Sequence, residues 1–461
     1  EILAHLIESY LDHNPLEEAV TKALREVIGT YGLAVISARE PQKIVAARLG
    51  SPLVLGIING NEYIITSDVA ALLTHTRQVV YLEDHEIITI ANGQYAISTL
   101  DRQKVAHPCE EIEGDIAQAE KGGFSHFMEK EIFEQPEALR MSTMGRMIVD
   151  DGLAKLGGLE SVKESLRAID RIIIVACGTA RHAALIGEYM LEEYARIPVE
   201  VEYASEFRYR QPLLTEKTAV LAISQSGETA DTLAAVREAK RKGALTLGIV
   251  NVVGSSLARE VEAGVYNHVG PEIAVASTKA FTSALAVLTL LTVSLGRDRQ
   301  LSFVQGKNIL TGLLEIPEKM KSILKKADFI RDLAKKYAVY NDFAFLGRKY
   351  NAAMALEGAL KLKEVSYVHA EGFAGGEMKH GALAMIGPEF PTVAIAPKDS
   401  VYEKNISNIQ EIKARRGKVI ALATAGDEEI KHLADEVIYI PETLEILTPL
   451  LTVIPLQLLA Y

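Results

Sequence analysis

Three groups of residues in this chain have the types and spacing to do chemistry. The first is Ser224-Gln225-Ser226-Gly227-Glu228-Thr229, set between an apolar run and a helical pattern starting near Ala230. A helix start presents free N–H groups and the positive end of the helix dipole. With the hydroxyls of Ser224, Ser226 and Thr229 gathered around it, such a turn suits a phosphate monoester. An N-cap serving only the helix is the plain alternative. Glu228 and Asp231 would repel an anion, so a phosphate site requires both to point away. The second group is Glu357, Lys361 and Glu364, at i, i+4 and i+7 of a helix expected over Ala352 to Val368, which puts them on one face. Their neighbours are nearly all apolar, and buried carboxylates need partners and often mark sites. A carboxylate beside an ammonium can move a proton next to a carbonyl. An exposed stabilising Glu–Lys pair is the alternative. The third is the Gly375 to Gly381 segment carrying His380, whose imidazole can exchange a proton near neutral pH. His369 competes for that role, and a surface-loop histidine is the ordinary reading.

The elements that must position these groups follow from hydrophobic patterning. Residues 1–112 open with two helices. Short alternating strands follow: Gly32–Ser37, Ile44–Leu49, Leu53–Ile58, Tyr63–Thr66, Val79–Leu82, Glu86–Ile90 and Gln94–Thr99. Gly60-Asn61 and Asn92-Gly93 are the turn signals. This is an antiparallel, β-rich module. Residues 113–160 read as a linker with lead-in helices, including a mixed helical segment from Phe124 to Met147. From about residue 165 apolar strands end in Gly- or Ser-rich loops and helices follow, the pattern of a doubly wound parallel sheet. The expected strands are Ile172–Ala176, Ala219–Ile223 and Leu245–Val250. The pattern returns with strands at Asp342–Leu346, Val393–Ala396 and Val419–Ala423. Gly178, Ala183, Ala184 and Glu188 have counterparts at Gly347, Ala352, Ala353 and Glu357, each 169 positions later. Two similar α/β domains are expected, over 161–304 and 325–461.

Composition narrows the class. The chain has 461 residues, 48% hydrophobic and 24% charged, with 49 Lys+Arg against 61 Asp+Glu and a net charge of −12. Such a balance speaks against a general nucleic-acid or anionic-membrane binder. No Walker pattern and no Gly-x-Gly-x-x-Gly follows a strand, which weakens nucleotide readings. Two cysteines, Cys109 and Cys177, make no disulfide framework and point to a reducing, cytoplasmic setting. No histidine pair has metal-ligand spacing, which speaks against a metal site. The longest uncharged run, Ala280–Gly296, carries five Thr or Ser residues and reads as a buried core helix. Both ends read as cut: Glu1 opens inside an amphipathic pattern and Tyr461 closes an apolar one.

Together these pieces resemble the glutamine–fructose-6-phosphate aminotransferase (isomerising), or glucosamine-6-phosphate synthase, family. The matching runs are Ser224–Thr232, Ala204–Arg210, Ala276–Thr282, Glu357–Glu364, Gly376–Gly381 and Phe127–Pro136. They span essentially the whole chain. The resemblance implies an α/β fold with two tandem sugar isomerase (SIS) domains, preceded by the C-terminal part of an N-terminal-nucleophile glutaminase α+β domain. It implies the making of glucosamine 6-phosphate and glutamate from fructose 6-phosphate and glutamine, without a metal or organic cofactor, in a cytoplasmic homodimer, with ammonia passing through an internal channel. By motif, Ser224, Gln225, Ser226 and Thr229 would hold the phosphate, with Thr179 nearby, and Ser277 would line the sugar site. Glu364 would move the proton between C1 and C2. His380 would open the ring across a dimer interface, and Lys361 and Glu357 would support the hydroxyls and the charge balance.

The departures are specific. Glu1 is not the family's N-terminal cysteine nucleophile, and Cys109 does not match it. The first half of the glutaminase and the tail with a Schiff-base lysine are absent from the sequence. Ala180 stands where family members can have a phosphate-contacting serine. As written, the chain is not expected to hydrolyse glutamine. A related sugar-phosphate isomerase or deglycase is the alternative, and residues 1–112 argue against it. A non-catalytic sugar-phosphate sensor would bring a helix-turn-helix or a basic patch, and neither is seen.

Overall fold

The computed structural model describes residues 1–112 and 120–461, and the chain divides into two units, Glu1–Gly122 and Gly123–Tyr461. In the first unit, helices α1 (Ile2–Leu11) and α2 (Leu16–Glu26) precede β1 (Tyr31–Ile36), β2 (Lys43–Leu49), β3 (Val54–Ile58), β4 (Glu62–Thr66), β5 (Gln78–Tyr81), β6 (Glu86–Ala91), β7 (Gln94–Thr99), β8 (Lys104–Val105) and β9 (Glu110–Glu111). All of these strands pair antiparallel, in two sheets of order β1-β2-β6-β7-β8 and β4-β3-β5-β9. Period-2 alternation explains the layering. Val45 and Ala47 face α2, while Ala46, Ile88 and Ile97 face Leu55 and Val80 of the other sheet. The seven expected strands all form, and β8 and β9 are added. The first turn is corrected by one residue. Positive φ falls on Asn59 and Gly60, so the reversing pair is Asn59-Gly60, while Asn92-Gly93 turns as expected.

The second unit opens with α3 (Phe127–Thr143), a two-residue hairpin of β10 (Met147–Ile148) and β11 (Leu153–Ala154), and α4 (Lys163–Ala168). The first parallel half follows: β12 (Arg171–Ala176), α5 (Gly178–Met190), β13 (Val199–Tyr203), α6 (Ala204–Phe207), β14 (Thr218–Ser224), α7 (Ala230–Arg241), β15 (Leu245–Val250), α8 (Ser256–Glu260), β16 (Ala263–Tyr266) and α9 (Lys279–Arg297). Helices α10 (Phe303–Leu324) and α11 (Ala327–Tyr337) lead to the second half. It comprises β17 (Asp342–Gly347), α12 (Tyr350–Ser366), β18 (His369–Ala374), β19 (Thr392–Ile395), α13 (Tyr402–Ala414), β20 (Val419–Thr424), α14 (Glu428–Leu433), β21 (Glu436–Ile440) and α15 (Thr448–Ala460). The sheets run β13-β12-β14-β15-β16 and β18-β17-β19-β20-β21, both wholly parallel. Equal strand order is the mark of a repeat.

The repeat is offset from the letter match. Strands β12 and β17 begin 171 residues apart, at Arg171 and Asp342. The structural counterpart of Gly178 is therefore Lys349, and both have φ of +53° at the entry to the following helix. Gly347 ends its strand instead. Residues 113–119 of the expected linker lie outside the described residues. The helix within that span, α3, is part of the folded core: Met128, Ile132 and Leu139 are buried in the apolar cluster that continues through both parallel halves.

Helix α9 covers the expected buried run. It is the one helix among the described residues long and apolar enough to cross a membrane, yet 94% of its apolar stretch is buried within the protein. Such a helix, apolar on every side, belongs to a core. Leu285 in its middle is fully buried. Leu285→Ala should lower the unfolding free energy by about 2–5 kcal/mol, read as an earlier denaturant midpoint of the second unit.

Candidate active site

A cavity of about 220 Å³ opens at the C-terminal ends of the first parallel sheet, where open α/β sheets place their ligands. The serine-rich turn forms one wall, with Ser224, Gln225, Ser226 and Thr229 all lining it. The turn is held from within. Ser224 Oγ accepts from Gly227 N at 3.0 Å and Ser226 Oγ from Glu228 N at 3.2 Å. Gly227 has φ of +67°, and a Cβ there would lie 2.1 Å from Ser255 Oγ, so only glycine fits. Thr229 precedes α7 without a side-chain bond to the helix. The N-cap alternative therefore fails for Thr229, whose hydroxyl lies instead 3.4 Å from Ser224 Oγ. Glu228 is turned onto α8, accepting from Ser256 N at 2.8 Å, and neither it nor Asp231 lines the cavity.

Thr179, in the first turn of α5, lines the opposite side together with Cys177 and Ala180. Burial pushes the Cys177 thiol up. Ser277 and Val275 come from the segment between β16 and α9. The Ser277 hydroxyl donates to Glu272 Oε2 at 2.8 Å, and Glu272 Oε1 accepts from Thr278 N and Ala280 N, capping α9.

Helix α12 brings in the charged face. It runs Tyr350–Ser366, two residues earlier than expected at each end. Lys361 and Glu364 line the cavity, while Glu357 stands behind them, wholly buried. Lys361 Nζ lies 2.6 Å from Glu364 Oε2 and 3.6 Å from Glu357 Oε1. Burial of Lys361 and Glu357 removes the reading of an exposed stripe. Glu357 reaches across to the first parallel half, accepting from Thr179 Oγ1 at 3.1 Å and from His182 Nδ1 at 2.7 Å. A carboxylate only accepts, so Nδ1 carries the proton.

His380 is not brought into this cavity by its own chain. It ends a short 3-10 turn over Glu377–His380 and is exposed. His369 is exposed too and pairs with Asp342 at 2.8 Å. Sequence reasoning missed His182 and Asn267. Asn267 directly follows β16, lines the cavity and is buried, and its Oδ1 has no partner among the described residues. Its position past a strand's C-terminal end was the available signal. His182 had none, because Glu357 lies 175 residues away in sequence. No group of acidic, His and Cys side chains among the described residues is arranged to hold a metal.

The SIS domain family matches residues 165–294 and 338–461, so fold and cavity together are those of a double SIS-domain protein. The glutamine–fructose-6-phosphate aminotransferase (isomerizing) of Chlorobaculum tepidum is 50% identical over all of this chain and 75% of its own length. That of Thermus thermophilus is 47% identical with the same coverage. Among solved structures, the C-terminal domain of glucosamine-fructose-6-phosphate aminotransferase from Francisella tularensis is 38% identical. Its TM-score is 0.71, over 74% of this chain and 96% of that one. The chain belongs to the isomerizing glutamine–fructose-6-phosphate aminotransferase family.

The charge cluster makes a stability prediction. Glu357→Ala strips Lys361 of one of its two carboxylates and leaves His182 and Thr179 unpaired. Removing one partner of a buried ion pair should lower stability by about 3–5 kcal/mol, measured by denaturant unfolding against the wild type.

Proposed function

We propose that the protein makes glucosamine 6-phosphate from fructose 6-phosphate, with glutamine as nitrogen donor. The observation that carries this is the joining, in one cavity, of a hydroxyl-lined helix N-terminus with a buried lysine held between two carboxylates, in a chain of this family. The turn at 224–229 takes the phosphate through backbone N–H groups and the hydroxyls of Ser224, Ser226 and Thr229, with Gln225 and Thr179 beside it. The carbon chain of the sugar then extends toward α12, past Ser277.

Ammonia adds at C2 and water leaves. Glu364, at the cavity surface, takes the proton from C1 and returns it to C2, while the C1 hydroxyl proton passes to the imine nitrogen, which turns the ketose imine into an aldose amine. Lys361, 2.6 Å away, pairs with Glu364 and steadies charge developing on the sugar oxygens. Glu357 balances Lys361 from behind. His380 opens the sugar ring from a second copy of the chain, which makes the working unit a homodimer. Residues 1–112 belong to the glutaminase part, which supplies the ammonia by hydrolysing glutamine. Residues 161–304 and 325–461 are the two SIS domains. The setting is the cytoplasm.

Proton transfer can be followed without glutamine, as deuterium entering C1 of fructose 6-phosphate in heavy water. Glu364→Gln should slow this exchange by about 10²–10⁴-fold while the affinity for fructose 6-phosphate stays near the wild-type value. Unchanged exchange would remove Glu364 from its role. Ser226→Ala takes away one hydrogen bond to a dianion, and should raise the dissociation constant by about tenfold or more. An unaltered affinity would move the phosphate elsewhere.

A further inference from the structure

Helix α3 lies outside the cavity, yet it grips the segment that forms one of the cavity's walls. Residues 270–278 carry no regular structure between β16 and α9, and they supply Val275 and Ser277 to the cavity. Val275 is fully exposed, so nothing packed against its own side chain fixes it. Glu131 of α3 is only 2% exposed. Its Oε1 accepts from Ile273 N at 2.6 Å and from Ala274 N at 3.2 Å, the two amides immediately before Val275. Its Oε2 is buried with no partner among the described residues. One turn on, Glu134 pairs at 2.8 Å with Lys279, the buried first residue of α9. The segment is thus clamped on both sides of Ser277 by one helix.

We propose that Glu131, assisted by Glu134, is a positioning residue for the sugar site, holding residues 270–278 in the shape that presents Val275 and Ser277 to the ligand. The proposal rests on the sugar-phosphate reading above. A buried carboxylate with one unpaired oxygen is a costly choice for a merely structural contact. Two adjacent amides facing one oxygen explain why an acceptor is needed there.

The charges acting on Glu131 are Glu272 of the segment itself and Lys279 of α9, and its own helix also carries the Lys130–Glu134 pair. The other helices packed on α3 meet it elsewhere: α10 through Glu318 at Arg140, and α15 through Gln457 at Gln135, with Tyr461 beyond it reaching His126 and Glu129. Burial is the largest influence and pushes the Glu131 carboxyl up to about 7. Above that pH the anion forms two charge-assisted bonds, and below it they become neutral ones.

The test compares wild type, Glu131→Ala and Glu131→Gln in the full chain, with fructose 6-phosphate as titrant and amide hydrogen exchange as a second readout. Glu131→Ala should weaken binding by about tenfold and speed exchange at Ile273 and Ala274, while the amides of residues 224–229 keep their protection. Glu131→Gln keeps an acceptor and should restore binding to within about threefold. Its dissociation constant relative to wild type should exceed one at about pH 8 and approach one at about pH 6, where the wild-type carboxyl is protonated. Wild-type affinity and protection in Glu131→Ala would overturn the proposal. So would a Glu131→Gln to wild-type ratio of one at both pH values, which decides the matter if Glu131→Ala does not fold. If wild type fails to bind fructose 6-phosphate, the substrate reading falls. Exchange at Ile273 and Ala274 then still decides whether Glu131 holds the segment.

Discussion

The pairing of Lys361 with Glu357 and Glu364 is the interaction on which the site depends. A buried ammonium is tolerable only with carboxylates at hand. Here the two carboxylates have different surroundings. Glu364 is partly exposed and opens to the cavity, whereas Glu357 is closed off and anchored by Thr179 and His182. Those two anchors sit on α5 in the first parallel half, while all three charged residues sit on α12 in the second. The charge cluster therefore also joins the repeats, and the packing of α5 against α12 brings it to the mouth of the cavity.

The repeats share a sheet order and differ at the equivalent place. In the first half the turn after β14 is lined with hydroxyls and opens to the cavity. In the second half the turn after β19 is taken up by its own side chains. Asp399 accepts from Val401 N at 3.0 Å and from Asn351 at 3.3 Å, and Ser400 donates to Glu445 at 2.7 Å. Burial pushes Asp399 up to about 6. Lys349, at the left-handed entry to α12, lies 3.0 Å from both Glu193 and Glu445. The second half has thus spent its corresponding turn on internal hydrogen bonds.

Local signals in the chain were sufficient for much of this. Seven strands of the first unit, the six anticipated parallel strands, the serine-rich turn and the charged face of α12 all follow from period-2 and period-3.6 patterning and from glycine and hydroxyl placement. The errors were of registration. The turn at Asn59-Gly60 was misplaced by one residue because Gly60-Asn61 has equally good turn residues. The repeat was aligned two residues out of step because matched letters do not reveal which residue takes a positive φ.

What the sequence alone determined is the set of groups available for chemistry and the elements that carry them, because spacing along a helix or around a turn is a local property. Which of them meet was decided only by the tertiary structure. His182 and Glu357 lie 175 positions apart, and Glu131 and Ile273 lie 142 apart. His380, conspicuous in the sequence, stays outside its own chain's cavity. Contacts across such separations arise from the packing of α5 on α12 and of α3 on α9, and packing depends on the shape of whole faces rather than on any short run of residues.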